Sequence, residues 1–132
     1  MSDEARRDEV ERLRPEGFRA FAERGADGPV VMLNLLAFEP DGGEERYAEY
    51  AQATAPLLAG VGGRLLAAYR PAQTLIGEDD WDLVALVEYP TRSAFLEMIG
   101  SPEYQAITHL RTESLRAAAL LPMEEAEETL GA

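Results

Sequence analysis

The chain has 132 residues, with 12 Lys and Arg, 25 Asp and Glu, one His and no Cys. This length fits one domain, and the lack of cysteine excludes disulfides, thiolate metal sites and cysteine nucleophiles. A net charge of −13 argues against nucleic acid as a partner, and no apolar run approaches the roughly 20 residues that cross a bilayer. We therefore expect no nucleic-acid and no membrane partner. Because the first residues lack an apolar signal region, we expect a cytoplasmic protein.

Residues 1–25 are predicted to form a helical N-terminal extension. Its first part consists of strong helix formers. Pro15 suits the first position of a second helix, which Gly25 can cap. This second helix places Phe18 and Phe21 on one apolar stripe, and we expect the stripe to dock on the rest of the protein.

Hydrophobic periodicity predicts the remaining elements. The run at residues 29–38 is apolar on both faces, which is typical of a central, doubly covered strand. A second strand is expected to bend near Pro71. The acidic tail, residues 124–132, is expected to be frayed or to form a terminal helical turn. The full set is strands at residues 29–38, 64–76, 82–89 and 117–123 and helices at residues 44–61, 92–99 and 102–116.

This order is β-α-β-β-α-β, the split βαβ pattern of a ferredoxin-like fold. It predicts an α+β domain over residues 26–123, with helices on one face of a four-stranded antiparallel sheet. The other face of the sheet also carries apolar side chains and needs a cover. The simplest cover is the sheet of a second copy, so the sequence predicts a homodimer through the sheet faces.

Three stretches between residues 29 and 123 are distinctive. They read VVMLNLLAF, YAEYAQATAPLLAGVGGRLL and WDLVALVEYPTRSAFLEMIGSPEYQAI. Together they resemble the DUF1330 family of the dimeric α+β barrel superfamily. The resemblance implies a ferredoxin-like protomer and a dimer of facing sheets. It implies no particular reaction, because the superfamily includes monooxygenases, isomerases, haem enzymes and ligand-sensing domains, and a fold alone does not choose among them.

Two polar side chains on apolar faces are candidate ligand-binding residues. Arg111 lies in the middle of the apolar face of the helix at 102–116, and Asn34 is the single polar residue of the strand at 29–38. A buried guanidinium needs a carboxylate, carbonyl groups or an anionic ligand. Arg111 is predicted either to clamp an anion or carbonyl, or to form an internal ion pair, for instance with Glu88, or to extend its charged end to the edge of the core. Asn34 is predicted either to orient a ligand carbonyl or to bond to its neighbours.

Three further residues are candidates for a pocket or for chemistry. Glu88 would be a general base if burial raised its pKa, whereas Arg64 or Arg111 nearby would make it half of an ion pair. Tyr50 and Trp81 are predicted to form the walls of a small-molecule pocket, or alternatively to pack in the core with their polar atoms bonded.

No cofactor and no metal site is predicted. The acidic cluster at residues 78–82 lacks the ligand spacing of a calcium loop, His109 has no partner histidine, and neither a phosphate-binding loop nor a nucleophile elbow occurs. Three functions stay open. One is a small-molecule pocket between helices and sheet, with cofactor-independent chemistry on a carbonyl compound. The second is a non-catalytic ligand-binding or structural homodimer, and the third is a partner-binding module built on the N-terminal helices.

Overall fold

The computed structural model describes residues 2–24 and 28–131. Within them the chain forms four strands and six α-helices, followed by a short 3-10 turn at Glu127–Leu130. In chain order these are α1 (Asp3–Glu11), α2 (Pro15–Glu23), β1 (Val30–Phe38), α3 (Gly43–Gly60), β2 (Arg64–Tyr69), β3 (Leu83–Tyr89), α4 (Arg92–Gly100), α5 (Pro102–Gln105), α6 (Thr108–Ser114) and β4 (Leu115–Met123).

The four strands form one antiparallel sheet in the order β2-β3-β1-β4. The apolar strand β1 is central, as its sequence predicts, and it pairs with β3 from Val30 opposite Tyr89 to Leu36 opposite Leu83. The predicted α+β fold with a four-stranded antiparallel sheet is confirmed.

One face of the sheet carries the hydrophobic core. Alternation along β1 points Val30, Met32 and Leu36 to this face, where all three are buried. The core has two clusters, one at each end of β1. The first contains Phe21, Val30, Met32, Tyr89, Phe95 and Met98, and the second contains Val10, Leu36, Phe38 and Leu115.

The opposite face of the sheet has no cover among the described residues. Alternation and register place Leu33, Leu86 and Leu121 side by side on this face. Leu121 is 43% exposed and the neighbouring Met123 is 44% exposed. The outer face is therefore an apolar surface open to solvent in the single chain.

Both edge strands of the sheet are irregular. The pairing of β2 with β3 shifts register between Leu65 and Ala67. β4 contains Pro122, which lies opposite Met32 and has no N–H to donate.

Both N-terminal helices pack on the domain. Val10 of α1 is buried in the second cluster, and Phe21 of α2 meets the Phe95 ring edge to face with centroids 5.6 Å apart. Pro15 occupies the first turn of α2, as its sequence predicts. The boundary predicted between residues 25 and 26, with Gly25 as the helix cap, lies outside the described residues.

Two predicted elements are wrong in extent. The strand predicted at 64–76 ends at Tyr69, because Pro71 cannot donate to a sheet and the segment that follows it is exposed. The helix predicted at 102–116 is divided into α5 and α6. It ends at Ser114, whose hydroxyl donates to the carbonyl oxygen of Arg111 at 2.7 Å.

In the described ranges, 2–24 and 28–131, no helix combines the length and the apolar character that crossing a membrane requires.

Candidate functional site

A polar cluster lies where α1, α3, α5 and α6 meet. It contains Arg111 of α6, Tyr47 and Tyr50 of α3, Tyr104 of α5 and Glu11 of α1, and we call it the Arg111 cluster. Arg111 and Tyr50 are each 9% exposed. A guanidinium thus lies in the core beside three phenol rings.

The spacing of residues on α3 creates the aromatic part of the cluster. Tyr47 and Tyr50 are three residues apart, so their rings lie on one helix face with centroids 5.2 Å apart. Phe38 extends this row beyond Tyr47 at 5.5 Å, and Tyr104 extends it beyond Tyr50 at 6.2 Å. The row gives the guanidinium an aromatic surface with hydroxyl groups on it.

Two hydrogen bonds connect residues of the cluster that belong to different helices. The hydroxyl oxygens of Tyr50 and Tyr104 are 2.7 Å apart and share one hydrogen bond. The Nη1 atom of Arg111 donates to a carboxylate oxygen of Glu11 in an ion pair whose side chains are only 11% and 17% exposed. The alternative of an internal ion pair is therefore present, but Glu88 is the wrong partner.

Burial shapes the titration of these groups. It raises the pKa of Tyr47, and it raises the pKa of Tyr50 well above the ordinary value. Burial alone would lower the pKa of Arg111, but the facing oxygens of Tyr50, Glu11 and the other tyrosines raise it overall. At neutral pH the phenols of Tyr47 and Tyr50 are therefore protonated hydrogen-bonding groups beside a permanent cation.

The first helix is held in place by a second arginine. Arg6 donates through Nε to the carbonyl oxygen of Thr112 at 2.7 Å and through Nη2 to Glu39 at 2.9 Å. Its Nη2 atom also lies 3.2 Å from the carbonyl oxygen of Leu115. These bonds fix α1 across the junction of α6 and β4, which places Glu11 over Arg111.

Asn34 lies on the helix-facing side of β1, as alternation predicts, between the two core clusters. Its Nδ2 atom donates one long hydrogen bond of 3.5 Å to the carbonyl oxygen of Met32. Within residues 2–24 and 28–131, no hydrogen bond joins Asn34 to the Arg111 cluster.

Glu88 lies on the outer face of the sheet, opposite Val31 on one side and Arg64 on the other. Its carboxylate accepts a hydrogen bond from Nε of Arg64 at 2.9 Å. The sheet thus separates Glu88 from Arg111, and the partner that it finds is Arg64.

Trp81 lies at the end of the exposed loop between β2 and β3. It lines an open depression together with Leu75 and Ile76 of the same loop. A second depression, beside the start of α3, is bordered by Glu44 and Arg70. The depression that Trp81 lines includes neither Tyr50 nor Arg111.

Metal-binding groups are not clustered in the described part of the chain, where no three His, Asp or Glu residues are placed to hold a metal ion together.

The sequence does not single out Glu11 as a site residue, because its contact with Arg111 spans 100 residues and leaves no local pattern. The available signal is Val10, the one apolar residue within the bounds of α1 besides alanine. Its burial fixes which side of α1 faces the domain.

Several solved structures are similar to this chain. The chain is similar to a protein of unknown function from Rhodopseudomonas palustris, with 30% identity, a TM-score of 0.78, and coverage of 86% of this chain and 95% of that chain. It is also similar to a dabb family protein with a ferredoxin-like fold from Mesorhizobium loti, at 11% identity, a TM-score of 0.57 and coverage of 76% and 99%. A dimeric ferredoxin-like protein of unknown function from Thermobifida fusca matches at 12% identity, a TM-score of 0.51 and coverage of 77% and 93%.

Among curated proteins, none matches the sequence. The profile of DUF1330, a domain of unknown function, matches residues 42–124. This match spans β2, β3, β4 and α3 to α6, and it includes every residue of the Arg111 cluster except Glu11. The predicted resemblance is confirmed, and the chain belongs to the DUF1330 family.

Proposed function

We propose that the protein binds a small molecule through a carboxylate or carbonyl oxygen at the Arg111 cluster. The observation that carries this proposal is the buried guanidinium of Arg111 beside the hydroxyl groups of Tyr50 and Tyr104. Core packing alone does not require the ion pair of Arg111 and Glu11, because apolar side chains in place of both partners are often at least as favourable.

The cluster holds more donors than its internal contacts use. A guanidinium has five N–H groups in a planar fork, and Glu11 accepts from the Nη1 atom of Arg111. The Tyr50 and Tyr104 hydroxyls share one hydrogen bond, so one of the two O–H groups remains for another acceptor. This donor set fits an oxygen that carries or develops negative charge.

A finer proposal is cofactor-independent chemistry on a carbonyl compound. Arg111 would polarise the carbonyl, and the one O–H group that the Tyr50–Tyr104 hydrogen bond leaves free would donate to its oxygen. The role of Glu88 as a base stays a prediction, and from its position it would act on the outer face of the sheet. Binding is therefore better supported than a reaction.

Asn34 and Trp81 stay predicted ligand contacts. Asn34 is on the helix-facing side of the sheet and makes one long hydrogen bond. Its carboxamide would therefore be available to a ligand bound next to the middle of β1. Trp81 would line a different pocket, at the loop before β3 and apart from the Arg111 cluster. The cytoplasmic location also stays a prediction.

The binding test measures the heat of titration with acetate, isovalerate and benzoate. We expect at least one of these acids to bind, and we expect Arg111→Met to abolish the binding. The control is Arg70→Met, which removes an exposed arginine paired with Glu44 on the surface. Tyr50→Phe is a milder variant and should weaken binding without removing it. Absence of binding of all three acids to both the wild type and Glu11→Gln, which removes the carboxylate that pairs with Arg111, would overturn the proposal, and so would equal binding by Arg111→Met.

A second candidate function is a structural homodimer through the outer face of the sheet. The apolar outer face, with Leu33, Leu86 and Leu121 in adjacent strands, favours it. The dimeric Thermobifida fusca protein of the same fold supports it further.

The dimer is tested by light scattering after size-exclusion chromatography. We expect the wild type to have twice the mass of one chain and Leu121→Glu to have the mass of one chain. Leu130→Glu is the matched control, because Leu130 is 87% exposed and lies in the C-terminal turn outside the sheet. A monomeric wild type would contradict the homodimer.

A further inference from the structure

We propose that α1 is a displaceable plug whose residues Val10 and Glu11 occupy the place of the ligand at the Arg111 cluster. The inference rests on the proposed binding function and adds to it the class of ligand and the way in which access is controlled. The ligand would be a short carboxylic acid with a branched apolar body.

The carboxylate that neutralises Arg111 comes from outside the region that matches the family. The family profile covers residues 42–124, whereas Glu11 belongs to α1. Within residues 28–131, no carboxylate forms an ion pair with Arg111. The domain without α1 therefore presents a buried cation that needs an anion, and Glu11 supplies that anion from the N-terminal extension.

Val10 supplies the apolar half of the same plug. It is 7% exposed and packs in the cluster of Leu36, Phe38 and Leu115, with Tyr47 at the border. Val10 lies in the cluster that Tyr47 borders, and Glu11 binds Arg111, which also faces Tyr47. One short segment therefore brings a branched aliphatic group and a carboxylate to the same part of the core. A branched short-chain acid offers both groups in one molecule, and it would satisfy the same cation and the same apolar wall.

The contacts that hold α1 on the domain are few enough for this helix to detach while the rest of the protein stays folded. α1 has nine residues, and helices of this length are not stable in isolation. Besides Val10, its described anchors are the polar contacts of Arg6 and Glu11, which water can replace. Segments with few buried apolar contacts are the ones that open locally while the rest of the fold stays intact.

A residue with a strained backbone lies at the end of α1, where the chain would bend if α1 moved. Arg12 ends α1 with φ at 50° and ψ at 56°, and it is the one non-glycine residue with positive φ in the described chain. The left-handed region is unfavourable for a side chain with a Cβ atom, and release of α1 would relieve that strain. The position of the strain, between α1 and α2, allows α1 to move while Phe21 keeps α2 docked.

The test compares full-length wild type with Glu11→Gln, and the probe is isovalerate. Glu11→Gln keeps the size of the side chain and removes the competing charge. The apparent affinity of a site is lower when the site is open in fewer molecules. Because Glu11→Gln should increase the open fraction, we expect this variant to bind isovalerate about tenfold more tightly or better. Glu9→Gln is the matched control, because Glu9 is exposed on the same helix. We expect it to bind like the wild type.

Hydrogen exchange reports on the plug independently of affinity. We expect isovalerate to increase amide exchange in α1 of the wild type, while the neutral isostere isovaleramide does not. Val10→Ala provides a second route, since it weakens docking and leaves Glu11 in place. We expect this variant also to bind isovalerate more tightly than the wild type.

The outcomes separate the two proposals. If isovalerate binds the wild type and Glu11→Gln with equal affinity and α1 stays protected from exchange, the plug is wrong and the binding function stands. If isovalerate, acetate and benzoate bind neither protein, the binding function is wrong and the plug falls with it.

Discussion

Tyr50 and Tyr104 lie 54 residues apart in the chain, and their hydroxyl oxygens lie 2.7 Å apart in the folded protein. One hydroxyl donates to the other, and the accepting hydroxyl keeps a proton that it can offer elsewhere. The pair therefore links α3 to α5 and leaves one donor at the Arg111 cluster.

Removal of either hydroxyl should weaken the fold modestly. A hydrogen bond of this kind contributes about 1 kcal/mol net, so we expect Tyr50→Phe and Tyr104→Phe each to lower the free energy of unfolding by about that amount. Urea denaturation measures it. The double variant should cost less than the sum of the two, because both changes remove the same bond. Additive costs would show that the hydroxyls do not interact. Tyr69→Phe is the control, since Tyr69 is 65% exposed.

Loss of the buried cation should cost more. Arg111→Met leaves the carboxylate of Glu11 without its partner, so we expect a loss of about 3 kcal/mol in the free energy of unfolding. The double variant Glu11→Gln with Arg111→Met should recover much of this loss, because no stranded charge remains. Arg70→Met, at the exposed pair with Glu44, should change stability little. An unchanged urea midpoint for Arg111→Met would show that Arg111 does not stabilise the fold.

The buried phenols should make stability fall at high pH. Burial raises the pKa of Tyr47, Tyr50 and Tyr89 in the folded state. Above the ordinary tyrosine pKa of about 10, the unfolded chain releases these protons while the folded chain still holds them. The unfolded state then binds fewer protons, so the free energy of unfolding decreases as pH rises. Below pH about 10 this contribution is fully present.

Ultraviolet absorbance of tyrosinate checks this behaviour. Burial should delay the ionisation of Tyr47, Tyr50 and Tyr89 in the folded protein, so part of the absorbance change should coincide with the loss of circular dichroism. Complete ionisation of all five tyrosines in the folded protein would contradict the burial of the phenols.

Gly43 should not tolerate a methyl group. A Cβ atom there would lie 2.6 Å from the carbonyl oxygen of Ser114, where the first turn of α3 crosses the end of α6. We expect Gly43→Ala to destabilise the protein by about 1–3 kcal/mol through backbone displacement. Gly60→Ala is the control on the same helix, since open space surrounds Gly60, and we expect it to be neutral or to stabilise by about 0.4–1 kcal/mol. Equal melting temperatures for the two variants would contradict the close crossing.

The sequence predicts the fold better than the site, for physical reasons. The run at residues 29–38 is apolar on both faces, and this property alone places β1 in the centre of the sheet. In contrast, residues 102–116 contain no glycine and no internal proline that would divide them. The break between α5 and α6 at Ala106 and Ile107 is therefore absent from any local pattern.

Position on a helix face predicts that Arg111 is buried, since its neighbours on that face are apolar. Its partner is not predictable in the same way. Glu11 and Glu88 are both carboxylates distant in sequence, and only the packing of α1 and the side of the sheet that Glu88 occupies decide between them. Local periodicity thus finds a buried charge, while tertiary structure selects what neutralises it.

The irregular margins of the sheet affect how the protein behaves at high concentration. The shifted register of β2 and the proline in β4 leave neither edge with a regular row of free backbone donors and acceptors. Growth of a ribbon by strand addition is thereby disfavoured at both ends, which protects against amyloid-like fibres even though the strands are rich in aliphatic side chains.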